Sequence, residues 1–323
     1  MLPALLALLT GLMLLVWAAD RLLEGAVALA QRAQLSPLLV GLVVVGFGAS
    51  SAELAVATAA AWHGHPALAL GSAWGGNIVA MSLVLGVTVL VRPIRASSAV
   101  LHRELPLLLA ATVLTALLVW DGVLSRLDAL GLLAGFVALL AWSWRQSRGS
   151  ETDELAQETV LELPVHALTT GHAVRRVLLA LLVLALGAGL LVWGAVEVAH
   201  GLGVSDLTLG LGVVALGITL PSLATCVAAA RKGEDDIALG HVLGAGLFNT
   251  LAVAGLAGLI EPLDVPTTVL WRDLPVMAGL ALVLYLRGRD ARQPTHLGKT
   301  TGHALVAVYL LHALALVVTS GPG

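Results

Sequence analysis

One carboxylate lies deep inside an apolar stretch of this chain. Glu53 lies 16 residues after Pro37 and nine before Trp62. At 1.5 Å per residue, it is about 13 Å or more from either end of a helix through this segment. Because a lone ionised carboxylate inside a bilayer costs several kcal/mol, such a residue is a functional candidate that faces a cavity. The alternative is a protonated or hydrogen-bonded glutamate that ties helices together.

Oxygen atoms of two kinds accompany this carboxylate. The segment 46–51, GFGASS, supplies the hydroxyl of Ser50 and glycines that free backbone carbonyls. Asn77, 11 residues past Pro66, is the second deep polar group. Amide and carboxylate oxygens are the hard ligands that sodium or calcium prefers. Alternatively, Asn77 hydrogen-bonds across a helix interface packed through small residues.

The composition indicates that lipid surrounds most of the chain. Only 11% of its 323 residues are charged, 59% are hydrophobic and the mean hydropathy is +0.97, whereas soluble domains average about 25% charged residues. The net charge of −3 gives no case for nucleic-acid binding. Cys226 is the single cysteine, which excludes an internal disulfide and a cysteine metal site.

Apolar runs predict ten membrane helices in two groups of five. The first run lacks the basic segment of a signal peptide, so we interpret it as a membrane helix. The predicted spans are 2–20, 37–61, 66–91, 104–120, 127–144, 175–199, 206–230, 236–260, 273–286 and 303–319.

An internal repeat relates the two groups. A shift of 169 residues aligns 25–106 with 194–275 and pairs GLVVVGFGASSAEL with GLGVVALGITLPSL. Because each group has an odd number of spans, the second copy enters the membrane from the opposite side. The predicted fold is therefore all-α and integral to the membrane, with ten transmembrane helices as two inverted five-helix repeats, 1–145 and 174–323, joined by a cytoplasmic linker, 146–173. Such repeats are typical of secondary transporters, although duplication could also have produced only a stable bundle.

Basic residues predict the orientation. With the N-terminus outside, 15 of the 17 Lys and Arg residues lie on the cytoplasmic side, and only Arg126 and Arg272 lie outside. Both termini are then expected outside the cytoplasm. The expected location is the inner (plasma) membrane of a bacterium.

The segments GASSAEL (48–54) and GITLPSLATCVAAARKGEDDIALG (217–240) resemble the two α-repeats of the sodium/calcium exchanger family, the calcium:cation antiporters. The resemblance covers nearly the whole chain. It implies exchange of sodium, potassium or protons for calcium by alternating access. It also implies a site built from an acidic residue in each repeat, hydroxyl, amide or acid side chains and backbone carbonyls.

The resemblance assigns five residues to a metal site. Glu53 matches the glutamate of the first repeat, Ser50 its preceding hydroxyl and Asn77 the amide or acid of the next helix. In the second repeat Thr219 keeps the hydroxyl, but Ser222 stands at the glutamate position. Gly246 stands opposite Asn77.

The missing second carboxylate has an electrostatic consequence. A calcium ion facing Glu53 alone leaves one uncompensated positive charge in a site of low dielectric constant, which costs at least several kcal/mol. One sodium ion or proton neutralises Glu53. Replacement acids would have to come from toward helix ends, as with Glu197, Asp20 and Glu24. His241 is either a proton acceptor or a packing residue.

The sequence thus predicts a secondary active cation antiporter and not an enzyme. No nucleophile and base pair or HExxH spacing supports an intramembrane enzyme. The alternatives are a transport-inactive relative with a structural or partner-binding role, and a monovalent exchanger of the sodium/proton type. No cofactor is expected besides the transported sodium, proton or calcium. The expected partners are these cations and the bilayer, and the sequence indicates no protein partner.

Overall fold

The computed structural model describes residues 1–33, 50–96, 98–147, 169–288 and 295–319. Apart from four strands of two or three residues, the regular structure of these ranges is helical. The α-helices are α1 (Leu2–Arg32), α2 (Ser51–Trp62), α3 (Pro66–Val79), α4 (Leu85–Val91), α5 (Ser98–Leu118), α6 (Arg126–Ser147), α7 (Thr170–Leu202), α8 (Asp206–Leu209), α9 (Ala215–Lys232), α10 (Asp235–Phe248), α11 (Ala254–Ile260), α12 (Leu274–Arg287) and α13 (Lys299–Thr319).

Several of these helices run on through a π-helical turn. Such turns join α3 to α4, α8 to α9 and α10 to α11, and a fourth precedes α12. The turns are Ala80–Val84, Gly210–Val214, Asn249–Val253 and Val269–Asp273. Single π-helical turns inside α-helices are frequent at functional sites.

Eight helices of the described ranges are long and apolar enough to cross a membrane. The predicted count of ten spans is therefore only partly matched. In the fourth predicted span the apolar segment, Glu104–Leu118, is shorter than a full crossing. Residues 37–49 of the second predicted span lie outside the described residues, as does most of the predicted linker.

The spacing of 169 residues recurs in the element boundaries. A shift of 169 carries α3 onto α10, the π-helical turn Ala80–Val84 onto Asn249–Val253, and α4 onto α11, with the same first and last positions. The backbone of the two copies thus follows the same course here, although most side chains differ.

Glycines bring α1 and α7 into close antiparallel contact. A Cβ on Gly11 would lie 2.5 Å from the backbone N of Leu191, and one on Gly25 would lie 3.2 Å from the carbonyl O of Ala173. The backbones therefore approach closely enough to exclude larger residues, as at many membrane helix interfaces.

Helix α1 continues well past its predicted end near residue 20. The charged side chains beyond this point are paired: Arg21 and Arg176 both contact Glu24, with N–O distances of 2.9 and 2.6 Å. Because α1 and α7 satisfy these charges mutually, the helix extends to Arg32.

Two other contacts fix the directions of central helices. Gly71 and Gly75 of α3 meet the carbonyl oxygens of Leu207 and Leu211 in that order, so α3 runs parallel to the chain entering α9. Helix α4 packs on α13, and α11 packs on α6.

Four short strands, which the sequence analysis did not predict, form two antiparallel pairs. Strand β1 (Ile94–Ala96) pairs with β4 (Thr295–Leu297), and β2 (Val123–Leu124) pairs with β3 (Leu263–Asp264). Each pair joins a connection of one half to a connection of the other. The reason is that extended connections satisfy their backbone groups by pairing across the two halves.

Candidate functional site

Helix α2 begins at the carboxylate predicted to bind a cation. The described helix starts at Ser51, which places Glu53 in its first turn, where the helix dipole favours negative charge. Glu53 is 4% exposed, and its Oε2 has no hydrogen-bond partner among the described residues. The predicted position of Glu53 in the middle of a longer helix depends on residues before 50, which lie outside the described part.

Ser50 precedes this helix without capping it. Its carbonyl O accepts from the N–H of Leu54 at 3.0 Å, but its side chain makes no capping hydrogen bond. The hydroxyl is buried, and its Oγ has no described partner. A buried serine that neither caps nor hydrogen-bonds leaves an oxygen available to a ligand.

Asn77 is held across the two halves by its amide nitrogen. Its Nδ2 donates to Thr250 Oγ1 at 2.7 Å and to the carbonyl O of Gly246 at 3.3 Å. Thr250 itself donates to that carbonyl at 2.7 Å. These bonds fix the orientation of the amide, so its oxygen Oδ1 points elsewhere and has no described partner.

Glycine at 246 makes this crossing possible. A Cβ there would lie 3.3 Å from Leu108 and 3.8 Å from Asn77 Oδ1. The position that lacks an amide in the second half therefore contributes its backbone carbonyl as a hydrogen-bond acceptor for Asn77.

Thr219 and Asn249 come together beside Gly76. A Cβ on Gly76 would lie 3.5 Å from Thr219 Oγ1 and 3.2 Å from Asn249 Nδ2. Thr219 Oγ1 and Asn249 Oδ1 are both buried without a described hydrogen-bond partner. Three segments, α3, α9 and the π-helical turn after α10, thus meet at this point.

Asn249 was missed by the sequence analysis. It lies 13 residues past Asp236 in an apolar stretch, so the criterion that selected Asn77 also selects it. Its shift-related position is Ala80, and Asn249 was not examined because the repeat directed attention to Gly246.

Ser222 is the one predicted ligand that the structure does not place among these buried oxygens. It lies one turn beyond Thr219 on α9 and is only partly buried. Its role as a ligand stays a prediction.

The acids considered as replacements for the missing carboxylate are engaged elsewhere. Asp20 and Glu197 are exposed, and Glu24 is ion-paired. Asp273 is fully buried, but both of its oxygens accept from Arg272 and Oδ1 also contacts His312 Nε2 at 2.7 Å. Among the described residues, no group of three or more His, Cys, Asp or Glu side chains is arranged to hold a metal.

Five buried oxygens without described partners therefore lie on α2, α3, α9 and the turn after α10. They are Ser50 Oγ, Glu53 Oε2, Asn77 Oδ1, Thr219 Oγ1 and Asn249 Oδ1. Helix α2 packs against α3, and both contact the turn that begins at Asn249. An unsatisfied buried polar group costs about 1–3 kcal/mol. Five acceptors with one formal negative charge match the needs of a small cation.

The fold and these buried oxygens define a membrane transporter of the ion-exchanger class. The family model described as sodium/calcium exchanger protein matches residues 3–145 and 172–318. The chain belongs to the sodium/calcium exchanger family.

Relatives in bacteria and archaea match along most of their length. The putative antiporter CaxA of Alkalimonas amylolytica is 37% identical over 96% of this chain and 97% of its own. The inner membrane protein YrbG of Escherichia coli is 39% identical over 88% and 89%. The sodium/calcium exchanger MaX1 of Methanosarcina acetivorans is 27% identical over 87% and 90%.

Solved structures of the sodium-calcium exchanger NCX_Mj share the fold. One of them superposes with a TM-score of 0.65 and 25% identity, and covers 97% of this chain and 98% of its own. The protein is thus an integral membrane protein of an antiporter family, as predicted, and the comparisons support cation antiport.

Proposed function

We propose that the protein exchanges cations by alternating access, through a site near the middle of the bilayer centred on Glu53. Ser50, Asn77 and Thr219 supply further oxygens, as the sequence predicts, and Asn249 joins them. The five buried oxygens without described partners carry this proposal. Without a ligand, their burial costs free energy that no described group returns.

Opposed helix directions support an inverted arrangement of the two halves. Antiparallel α1 and α7 occupy equivalent places in the two copies, as do the parallel pair α3 and α9 in a fold with one copy reversed. We propose two inverted five-helix units of ten spans in total, with both termini outside the cytoplasm. A bacterial inner membrane is the proposed location.

The proposed substrates are monovalent cations or protons before calcium. Glu53 is the one buried acid of the described residues that lacks a cationic or histidine partner and lies with the other unpaired oxygens. A monovalent ion neutralises it, whereas a calcium ion leaves an uncompensated charge. A calcium role therefore requires a second anion, and Ser222 does not supply one.

The second candidate is a transport-inactive relative with a structural role. Ser222 and Gly246 favour it, because both lack the oxygen ligands expected at their positions. Against it stand the unpaired oxygens, since an inactive fold gains stability by replacing buried unsatisfied groups with apolar ones.

Flux measurements in proteoliposomes test the proposal. Sodium, proton and calcium gradients are applied separately to vesicles with wild-type protein, Glu53→Gln and Glu197→Gln. Glu197 is an exposed carboxylate and serves as the matched control. We expect gradient-driven exchange in the wild type and the control and its loss in Glu53→Gln. Absence of flux of all three cations in the wild type would favour the inactive relative.

A further inference from the structure

Two exposed apolar stripes on α1 and α7 each end at an arginine. On α1, Met13 and Trp17 are 75% and 49% exposed and lie at four-residue spacing below Arg21. On α7, Leu178 and Leu182 are 62% and 57% exposed and follow Arg175 on the same face. Residues three and four apart lie on one side of a helix, so each stripe leads to its arginine.

Four arginines gather where α1 ends and α7 begins. Because the two helices are antiparallel, both of these helix ends lie at the same side of the molecule. Arg32 Nη1 donates to Thr170 Oγ1 at 3.2 Å, which ties the two ends together. We call Arg21, Arg32, Arg175 and Arg176 the arginine end.

The arginine end carries an excess of positive charge. Its acidic neighbours on the same helix segments are Asp20 and Glu24, against four guanidinium groups. Glu24 is shared by Arg21 and Arg176. Arg175 is exposed and makes no hydrogen bond or ion pair with another described residue. An anion placed here would therefore meet charge that the described chain leaves uncompensated.

The order of residues along α1 matches the profile of a bilayer. The guanidinium of Arg21 lies 5.8 Å from the ring centre of Trp17, and the apolar stripe begins directly below this ring. Tryptophan favours the level of the lipid headgroups, and arginine binds phosphate through paired hydrogen bonds. Charge, aromatic ring and apolar stripe thus follow in the order phosphate, interface and acyl chain.

We propose that the arginine end binds an anionic phospholipid. Its phosphate lies against Arg175 and the neighbouring guanidinium groups, and its acyl chains lie along the stripes of α1 and α7. Basic sites between membrane helices at a bilayer surface bind such headgroups. An exposed apolar stripe alone fits any lipid, and the uncompensated positive charge selects an anionic one.

Lipid retention measured by native mass spectrometry tests this proposal. Purified, delipidated full-length protein is mixed with equal amounts of dioleoylphosphatidylglycerol and dioleoylphosphatidylcholine. The variants are Arg175→Gln and, as the matched control, Arg231→Gln, another exposed arginine on α9. One arginine near a lipid surface accounts for a factor of about five in affinity. We expect Arg175→Gln to lower the preference for phosphatidylglycerol about fivefold and Arg231→Gln to leave it unchanged.

Three outcomes would overturn the proposal. Equal retention of the two lipids by the wild type removes the anionic preference, and an equal loss in both variants removes its location. Full displacement of the lipid by excess inorganic phosphate reduces the site to one for free anions. A dimer that Arg175→Gln dissociates would show that a second copy covers this face. The measurement requires no transport, so its result is independent of the proposed antiport.

Discussion

A second carboxylate at Asn249 should convert the proposed site from monovalent to divalent preference. Asn249→Asp keeps the size of the side chain and replaces an amide whose oxygen is buried without a described partner. Its neighbour Thr219 Oγ1 is also unpaired, so an added charge would face the proposed cation and not an existing hydrogen-bond donor.

The magnitude follows from the extra charge. One added negative charge attracts a divalent ion more than a monovalent ion by one unit interaction, about 4 kcal/mol at 4 Å and an effective dielectric constant of 20. This is an upper limit of about 1,000-fold in relative affinity. Repulsion from Glu53 acts equally for both ions, but desolvation of the new carboxylate reduces the gain. We therefore expect the preference for calcium over sodium to rise by about 10- to 1,000-fold.

Equilibrium competition between calcium and sodium, measured by titration calorimetry in detergent, is the assay. Ser222→Glu provides the comparison at the position where the family resemblance expects a glutamate. Because Ser222 is partly exposed, water screens a charge there and the shift should be smaller. Asn249→Leu removes the oxygen and should weaken both ions. A calcium-to-sodium ratio within about twofold of wild type in Asn249→Asp would refute the assignment of Asn249 to the site.

Three further substitutions test the contacts that hold the helices in place. Asp273→Asn leaves a buried arginine without its anion and weakens the contact to His312, so we expect a loss of about 3–5 kcal/mol in stability and a clearly lower Tm; an unchanged Tm would contradict this. Gly75→Ala places a Cβ 2.5 Å from a backbone oxygen, whereas Gly279→Ala meets nothing within 4 Å, so only the former should lower the yield of folded protein in size-exclusion chromatography. Asn77→Asp loses both donated hydrogen bonds and should lower both thermal stability and sodium affinity; calorimetry showing tighter sodium binding at unchanged Tm would argue against that network.

Much of the fold follows from local sequence properties. Apolar length and low charge density determine that the chain lies in a membrane, because each span must satisfy its own backbone hydrogen bonds. The in-register glycines and the shared GLVVV and GLGVV segments predict the duplication, and the element boundaries recur at the same spacing. The exact span count did not follow, because a helix such as α5 reaches only part of the required apolar length.

The candidate site was only partly accessible from the sequence. Glu53 and Asn77 are conspicuous because deep polar residues are expensive wherever they occur, and that cost is visible in one dimension. Whether an oxygen is free is a different matter, since it depends on partners far away in the chain. Asn77 donates to Thr250 and Gly246 in the other half, and this leaves its oxygen unpaired.

The sequence by itself determined the medium, the duplication, the family and the deep carboxylate, because each depends on residue type and spacing alone. Only the tertiary structure decided which oxygens are left without hydrogen-bond partners. It brought Asn249 beside Thr219, left Ser222 partly exposed and engaged Glu24 with two arginines. The physical reason is that hydrogen bonding and burial are properties of neighbours in space, and neighbours separated by more than a hundred residues are set by the packing of helices.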